Sequence, residues 1–463
     1  MIDPRDFFRS GSPLRDGDEN LFQGRQDLIH KVLHAIGSQN PVTLLCGEPG
    51  VGKSSLAWQV MRVLEGRNRL LRHLDLRPSY PVKPSLCVWL QCNGAMRDLE
   101  DVLLALMTVR TAGPSFRSLA PELYRPEFER LLSAAAERNL QRPSRRADRE
   151  AGESLWQSEA LMLFNRLLQE IRRVHQVKYV TIFLDDLDSI GGTRTGESGR
   201  RDDLQPEPLP LNNVVDTGGG MRLVVTCREK HIAGPVDGES VPVMWPVWNA
   251  FPLKGLQEDD LDEMFKTTED AAGGLIRFSS EYKQRLLTFG EGATWLFHTL
   301  GASVLSSTLR KVYSGERRFP LVLGGEDLDH AVDQLLTPSR PETFPEDPYR
   351  VDRLITACES SRVREAVIFA LAKHDYDKDE WVPEAKIRQF ESVLPHDSIS
   401  VKQALESLSS KASGVLMARE EHKVKGGPRA YRFLDHITWC LARMARTKGE
   451  GTLSGLKGSI HKV

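Results

Sequence analysis

Gly47-Glu-Pro-Gly-Val-Gly-Lys53-Ser54 constrains this chain of 463 residues more than any other stretch. The spacing GxxxxGK[ST] needs a strand in front and a helix behind. Its glycines let the backbone curl until successive N–H groups point inward at phosphate oxygens, and the following helix adds its positive end. The flanks comply. Pro41-Val-Thr-Leu-Leu-Cys46 is an apolar run suited to a buried strand, and Ser55 to Leu64 has helical character. In that setting Gly47, Glu48, Pro49, Gly50, Val51, Gly52, Lys53, Ser54 and the adjoining Ser55 form a cradle for a triphosphate. Lys53 should reach the β- and γ-phosphates, and the Ser54 hydroxyl should ligate Mg²⁺. The plainer alternative is an accidental glycine turn.

Further apolar runs repeat the alternation. Leu86 to Leu90 reads as a second strand, followed by a helix over Asp98 to Val109. An amphipathic helix over Leu161 to Val174 leads into a third strand, Tyr179 to Leu184. A fourth is expected over Arg222 to Thr226 and a fifth near Val247 to Leu253. A helix over Gln26 to Ile36 buries Leu28, Val32, Leu33 and Ile36 on one face. Strands alternating with helices predict a parallel sheet covered on both faces. The expected fold is therefore an α/β P-loop NTPase, followed by a helical lid and a carboxy-terminal winged-helix domain.

The boundaries follow composition. Residues 1–20 are polar and read as a flexible arm, 21–254 as the P-loop core and 255–337 as the lid. A Pro-rich join precedes the winged helix at 350–447, with helices at Arg362 to Ala372, Pro383 to Val393 and Ser398 to Lys411. A hairpin follows, Gly414 to Glu420 against Arg429 to Phe433, and 448–463 form a basic tail. Ala293 to Thr308 is nearly uncharged but too short to span a bilayer comfortably, and reads as a buried helix.

Composition excludes several classes. With 62 basic and 64 acidic side chains the net charge is −2, so any nucleic-acid surface must be local. The six cysteines are scattered, without a CxxC pair or a zinc-spaced histidine, which fits a reducing cytoplasm. The first ten residues carry no apolar signal core. Arg142, Arg145, Arg146 and Arg149 mark an arginine-rich stretch, read as a solvated insertion or a contact for an anionic partner. Ser189 to Gly220, rich in Gly, Arg, Asp and Pro, reads as a mobile loop.

Two more elements carry chemistry. The third strand ends in Asp185-Asp186, and a carboxylate at the end of a buried parallel strand can hold Mg²⁺ through water. Asp185 is the metal candidate, and Asp186 could orient or deprotonate an attacking water; capping or solvated acids are the alternative. At the end of the fourth strand, Thr226 or Arg228 could sense a γ-phosphate, since a fixed cation stabilises transferring charge. In the carboxy-terminal unit, Lys402, Lys423, Lys425 and Arg429 are candidates for nucleic-acid phosphates. Residues 411–463 hold eleven basic against four acidic side chains. A protein-interaction or autoinhibitory role is the alternative there.

The order Leu21-Phe-Gln-Gly-Arg-Gln26, P-loop, FLDDLD and VVTCR resembles the STAND/AAA+ group of ATPases, which includes origin-recognition-like initiators and bacterial relatives of the NLR switches. The resemblance covers most of the chain. It implies ATP as ligand, slow hydrolysis and nucleotide-controlled homo-oligomerisation or activation of an effector protein. It suits a prokaryotic defence or conflict system, or alternatively a DNA-bound initiator or a scaffold with little turnover. It places Phe22, Gly24 and Arg25 near the adenine. Gln26 stands where the group usually has Glu. Gly290-Glu-Gly-Ala-Thr294 lacks the Pro or sensor arginine often found at the start of a lid helix, which bears on lid sensing.

Overall fold

A computed structural model of the chain describes residues 3–9, 13–37, 42–76, 85–93, 95–96, 99–108, 115–141, 159–190, 220–228, 249–290, 292–336, 350–374, 381–410, 413–420 and 429–454. Five parallel strands form its centre: β1 (Val42–Gly47), β2 (Leu86–Gln91), β3 (Val180–Asp185), β4 (Met221–Cys227) and β5 (Ala250–Leu253), in the spatial order β2-β3-β4-β1-β5. β4 thus lies between the P-loop strand and the strand that ends in Asp185, with Leu45 opposite Thr226 and Leu184 opposite Val225.

Strand periodicity sorts the side chains to two faces. Leu45, Trp89, Phe183 and Val224 pack on one side, against α1 (Gln26–Gly37), α2 (Lys53–Leu64) and α3 (Arg69–His73). Leu44, Val88, Ile182 and Leu223 pack on the other, against α4 (Leu99–Thr108), α5 (Phe116–Leu119), α6 (Pro126–Gln141) and α7 (Glu159–His175). Because both faces are covered, these strands are continuous apolar runs instead of alternating ones.

Beyond the sheet come α8 (Glu258–Ala271), α9 (Ser280–Gly290), α10 (Thr294–Tyr313) and α11 (Gly325–Leu335). The wholly helical pattern expected here is interrupted by a parallel pair, β6 (Ile276–Phe278) with β7 (Leu321–Leu323). Both strands have only three residues, too short to show a period.

The carboxy-terminal unit runs α12 (Arg350–Cys358), α13 (Arg362–Leu371), β8 (Val382–Pro383), α14 (Glu384–Ile387), α15 (Ser398–Leu408), β9 (Leu416–Glu420), β10 (Arg429–Phe433) and α16 (His436–Lys448). The order is winged-helix-like: β10 pairs antiparallel with both β9 and β8. The single helix expected over Pro383 to Val393 is instead a short strand and one helical turn. Its apolar residues from the lid and this unit pack in one cluster, in which Leu300, Leu328, Leu354, Val367 and Leu441 are all buried. Lys448 also reaches Asp333 on α11, at 2.9 Å.

Residues 1–20 depart most from expectation. The described part is packed, not loose. Phe8 is 2% exposed and sits in the lid cluster beside Phe297, while Leu14 and Leu21 join the sheet cluster over α2. Burying such a side chain contributes roughly 1.5–3 kcal/mol, enough to offset the ordering of one or two residues. Polar clamps complete the seat: Ser55 Oγ accepts from the Leu14 amide at 3.0 Å, Gln59 donates to the Arg15 carbonyl at 3.1 Å, and Arg62 pairs with Asp16. Among the described residues no helix is long and apolar enough to cross a membrane. The stretch from Arg142 to Arg149, residues 191–219 of the Ser189 to Gly220 loop, and Lys423 and Lys425 lie outside the described residues.

Candidate functional site

The P-loop leaves β1 and enters α2 through backbone that only glycine tolerates well. Gly50 has φ +83° and Gly52 has φ +92°. A Cβ on Gly50 would lie 1.9 Å from the Trp295 ring, and one on Gly47 would lie 2.4 Å from the Leu253 carbonyl oxygen. The loop is therefore held between β5 and the start of α10. Thr294 Oγ and the Trp295 amide both donate to the Gly50 carbonyl, at 2.8 and 3.2 Å. On the opposite flank Arg25, itself at φ +64°, donates to the carbonyls of Val51 and Lys254 at 2.6 and 2.9 Å. Burial pulls this guanidinium down to about 10, opposed by Asp260, so it stays charged at neutral pH.

At the sheet edge one carboxylate oxygen gathers three elements. Asp185, 2% exposed, accepts from Ser54 Oγ at 2.8 Å and from Thr226 Oγ at 2.6 Å. Thr226 Oγ in turn accepts the Asp186 amide at 2.8 Å. Asp186 takes the left-handed conformation, φ +55°, and lies in the wall of the cavity next to the P-loop. The β2-β3-β4-β1 order makes this possible, since β4 delivers Thr226 between α2 and the end of β3. Lys53, buried at the base of the loop, donates to the Glu48 carbonyl at 3.0 Å.

A cavity of about 300 Å³ opens here. Its wall includes Pro49 to Ser55 from the loop, Asp186 and Asp188 after β3, Arg228 after β4, and Thr294, Trp295, His298 and Thr299 from α10. Arg9, Leu14, Leu21, Phe22 and Arg25 close it from the amino-terminal side, and Arg350 and Ile437 reach it from the carboxy-terminal unit. Charged and hydroxyl side chains make up much of this wall, and Leu14, Phe22, Val51 and Trp295 add apolar surface. His298 is a neutral donor or acceptor. Burial lowers its imidazole to about 4, Asp18 opposes that and Arg9 assists it, and the Arg9 amide approaches Nδ1 at 3.4 Å.

Arg228 and Arg350 of the wall are paired with carboxylates. Arg228 pairs with Asp188 at 3.0 Å and donates its amide to the same carboxylate. Arg350, 6% exposed in its side chain, pairs with Asp435 at 3.2 Å. Asp435 caps α16 through the Thr438 amide at 2.8 Å. Burial alone would raise the Asp435 carboxyl. Arg350, the Thr438 donors and the nearby Arg228 outweigh it and hold the group below the usual range.

Most sequence candidates thus converge: Ser54, Asp185, Asp186, Thr226 and Arg228 meet at one sheet edge. Two expectations need correction. Thr226 is 1% exposed and its hydroxyl is engaged by Asp185 and Asp186, so it organises carboxylates and does not itself face the cavity. Gly24 lies against Asp260 and is not part of the cavity wall, which takes Leu21, Phe22, Gln23 and Arg25 from that segment. Arg9, Trp295, His298 and Arg350 went unforeseen. A lone arginine or histidine in a polar arm, a helix or a Pro-rich join carries no positional signal, and their convergence is tertiary.

The residues fit the expected ligands. The inward-curling glycines suit a phosphate chain, and the hydroxyl and carboxylate oxygens 2.8 Å apart are the hard donors that Mg²⁺ takes.

No family model matches the chain, and no curated protein matches it. Among solved structures it is similar to the ORC1 protein of Aeropyrum pernix in complex with DNA. That match has 14% identity and TM-score 0.41, and covers 96% of this chain and 98% of that one. It is also similar to Cdc6p from Pyrobaculum aerophilum, at 14% identity and TM-score 0.40, covering 96% and 99%. A Walker-type ATPase of Pyrococcus abyssi gives 14% and 0.41, covering 93% and 98%. Likeness at this level carries no weight for activity.

Proposed function

We propose that the chain is an ATP-binding and slowly hydrolysing switch, in which nucleotide state controls how the lid and the carboxy-terminal unit sit on the sheet, and through them assembly or a partner. The observation that carries this is the meeting of Ser54, Asp185 and Asp186 beside a P-loop that α10 touches directly. Backbone amides and Lys53 would bind the triphosphate, with Lys53 leaving the Glu48 carbonyl for phosphate oxygens. Ser54 and Asp185 would hold Mg²⁺, which when bound neutralises phosphate charge. Asp186, its backbone fixed by Thr226, would orient the attacking water and accept its proton. Phe22, Leu14 and Trp295 offer apolar surface for the base, and Thr294 ties phosphate binding to the lid.

Calorimetric titration of the full chain with ATP–Mg²⁺ tests the reading. Wild type should bind and Lys53→Ala should lose binding by about a hundredfold. Equal binding by both would end it. Asp186→Asn should keep binding and lose turnover. Turnover absent from wild type as well would favour a scaffold.

A second reading is a DNA-bound, initiator-like ATPase. It is favoured by the Trp381 ring, flanked by Arg419 at 4.8 Å and Arg432 at 4.7 Å, and by exposed Lys402 on α15. Arg429 faces Glu406 at 3.9 Å, which weakens that surface. Duplex binding that does not weaken with salt would count against this reading.

A further inference from the structure

We propose that Arg350, supplied by the carboxy-terminal unit, is a phosphate-sensing cation acting in cis, and that Asp435 is the carboxylate it exchanges for the terminal phosphate of the nucleotide. This rests on the nucleotide reading above and goes beyond it by naming the groups through which the bound state reaches α16.

The argument starts from sequence distance. Arg350 lies more than 290 residues from the P-loop, yet both belong to one cavity wall. The same wall carries Asp186, Asp188 and Arg228, the groups that follow β3 and β4. Four charges alternate along this edge: Asp188 holds Arg228, and Asp435 holds Arg350 at 3.2 Å with Arg228 close by. Arg350 and Asp435 are almost fully buried, at 6% and 5% exposure. A buried cation cannot stay without an anionic partner, so whichever acceptor Arg350 leaves must be replaced by another. A guanidinium forks over two acceptors and suits phosphate oxygens as well as carboxylate. Meanwhile the start of α10 offers Thr294 and Trp295 at the P-loop and no arginine. Two other cations reach the cavity from outside the sheet, Arg9 held by Asp18 and Arg25 held by the Val51 and Lys254 carbonyls, and the one supplied by the carboxy-terminal unit is Arg350 on α12.

Asp435 gives the exchange its output. It accepts from the Thr438 amide and hydroxyl, at 2.8 and 3.0 Å, and so caps α16, the helix whose Lys448 reaches back to Asp329 and Asp333 on α11. Ile437, the second residue of that helix, also lines the cavity. When Arg350 turns to phosphate, Asp435 keeps its cap but loses its tie to α12. The first turn of α16 then becomes free to shift against the sheet.

The test compares full-length wild type, Arg350→Gln, Asp435→Asn and Lys53→Ala. Titrations with ATP–Mg²⁺ and with ADP are run alongside hydrogen exchange of the α16 amides. Wild type should prefer ATP. Arg350→Gln should lose about tenfold in ATP affinity with ADP affinity nearly unchanged, and ATP should no longer alter exchange at 436–448. Asn caps helices as well as Asp, so Asp435→Asn keeps the fold and removes the competing charge. It should increase the preference for ATP, and it stands as the test if Arg350→Gln does not fold. Should Lys53→Ala abolish binding while neither of the other variants changes the ATP-to-ADP ratio, Arg350 is a structural ion-pair partner and the inference is overturned. Failure of wild type to bind either nucleotide would instead overturn the reading beneath it.

Discussion

Gly50→Ala tests the seam between P-loop and lid most directly. The residue sits at φ +83°, and the new methyl would lie 1.9 Å from Trp295 Cδ1 and 2.7 Å from its Cγ and Nε1. Two separable costs follow. The left-handed backbone costs about 1–2 kcal/mol for any L-residue. Forcing a methyl into a filled space costs about a further 1–3 kcal/mol, because the indole or the loop must move. Moving either lengthens the Thr294 and Trp295 bonds to the Gly50 carbonyl. Denaturant unfolding of wild type, Gly50→Ala, Trp295→Ala and the double variant separates the terms. Removing the indole should cancel the steric part but not the backbone part. The double variant should then be more stable than additivity predicts, by about 1–3 kcal/mol. ATP affinity should fall in Gly50→Ala and recover partly in the double variant. Additivity within about 0.5 kcal/mol would refute the claim that α10 presses on the P-loop at this residue.

Two further outcomes follow. Thr226→Val keeps the shape of a buried side chain but removes the hydroxyl that donates to Asp185 and accepts the Asp186 amide. It should cost about 1–3 kcal/mol in unfolding free energy and lower ATP turnover more than ATP binding; unchanged turnover would contradict the assigned role. His298 is held at about 4 by burial, against an ordinary 6.5. Between those values the unfolded chain binds a proton that the folded chain refuses. The stability contributed by keeping the ring neutral is therefore complete above pH 6.5 and declines toward pH 4, by on the order of 3 kcal/mol. Unfolding curves from pH 7 to 4.5 should lose this slope in His298→Asn, and a slope equal to wild type would exclude the histidine as its source.

The sequence made the sheet legible because buried parallel strands are unbroken apolar runs punctuated by motifs. All five were placed, and Ser54, Asp185 and Asp186 could be read as one site because their strands share an edge. The illegible parts are those where pattern is short or context decides. Three-residue β6 and β7 leave no period. The Phe7-Phe8 pair and Leu14 are isolated apolar positions among charges, and only tertiary packing, on the lid cluster for the first and beside α2 for the second, turns them into core. Arg350 follows a run of prolines and acids, and nothing local separates it from a surface arginine. The helix expected over Pro383 to Val393 failed because Val382 and Pro383 pair with β10 across a long sequence gap.

The shared apolar cluster of lid and carboxy-terminal unit dictates the mechanics of any response. Among the described residues each face of the sheet has an apolar cluster of its own, and the combined block of α8 to α16 has a third, so the boundary between block and sheet falls between clusters. A displacement along that boundary would carry most of both distal parts together, because they share one apolar cluster. The cavity beside the P-loop lies at that boundary, so on the proposed reading a small ligand bound there would bear on the angle between the two bodies.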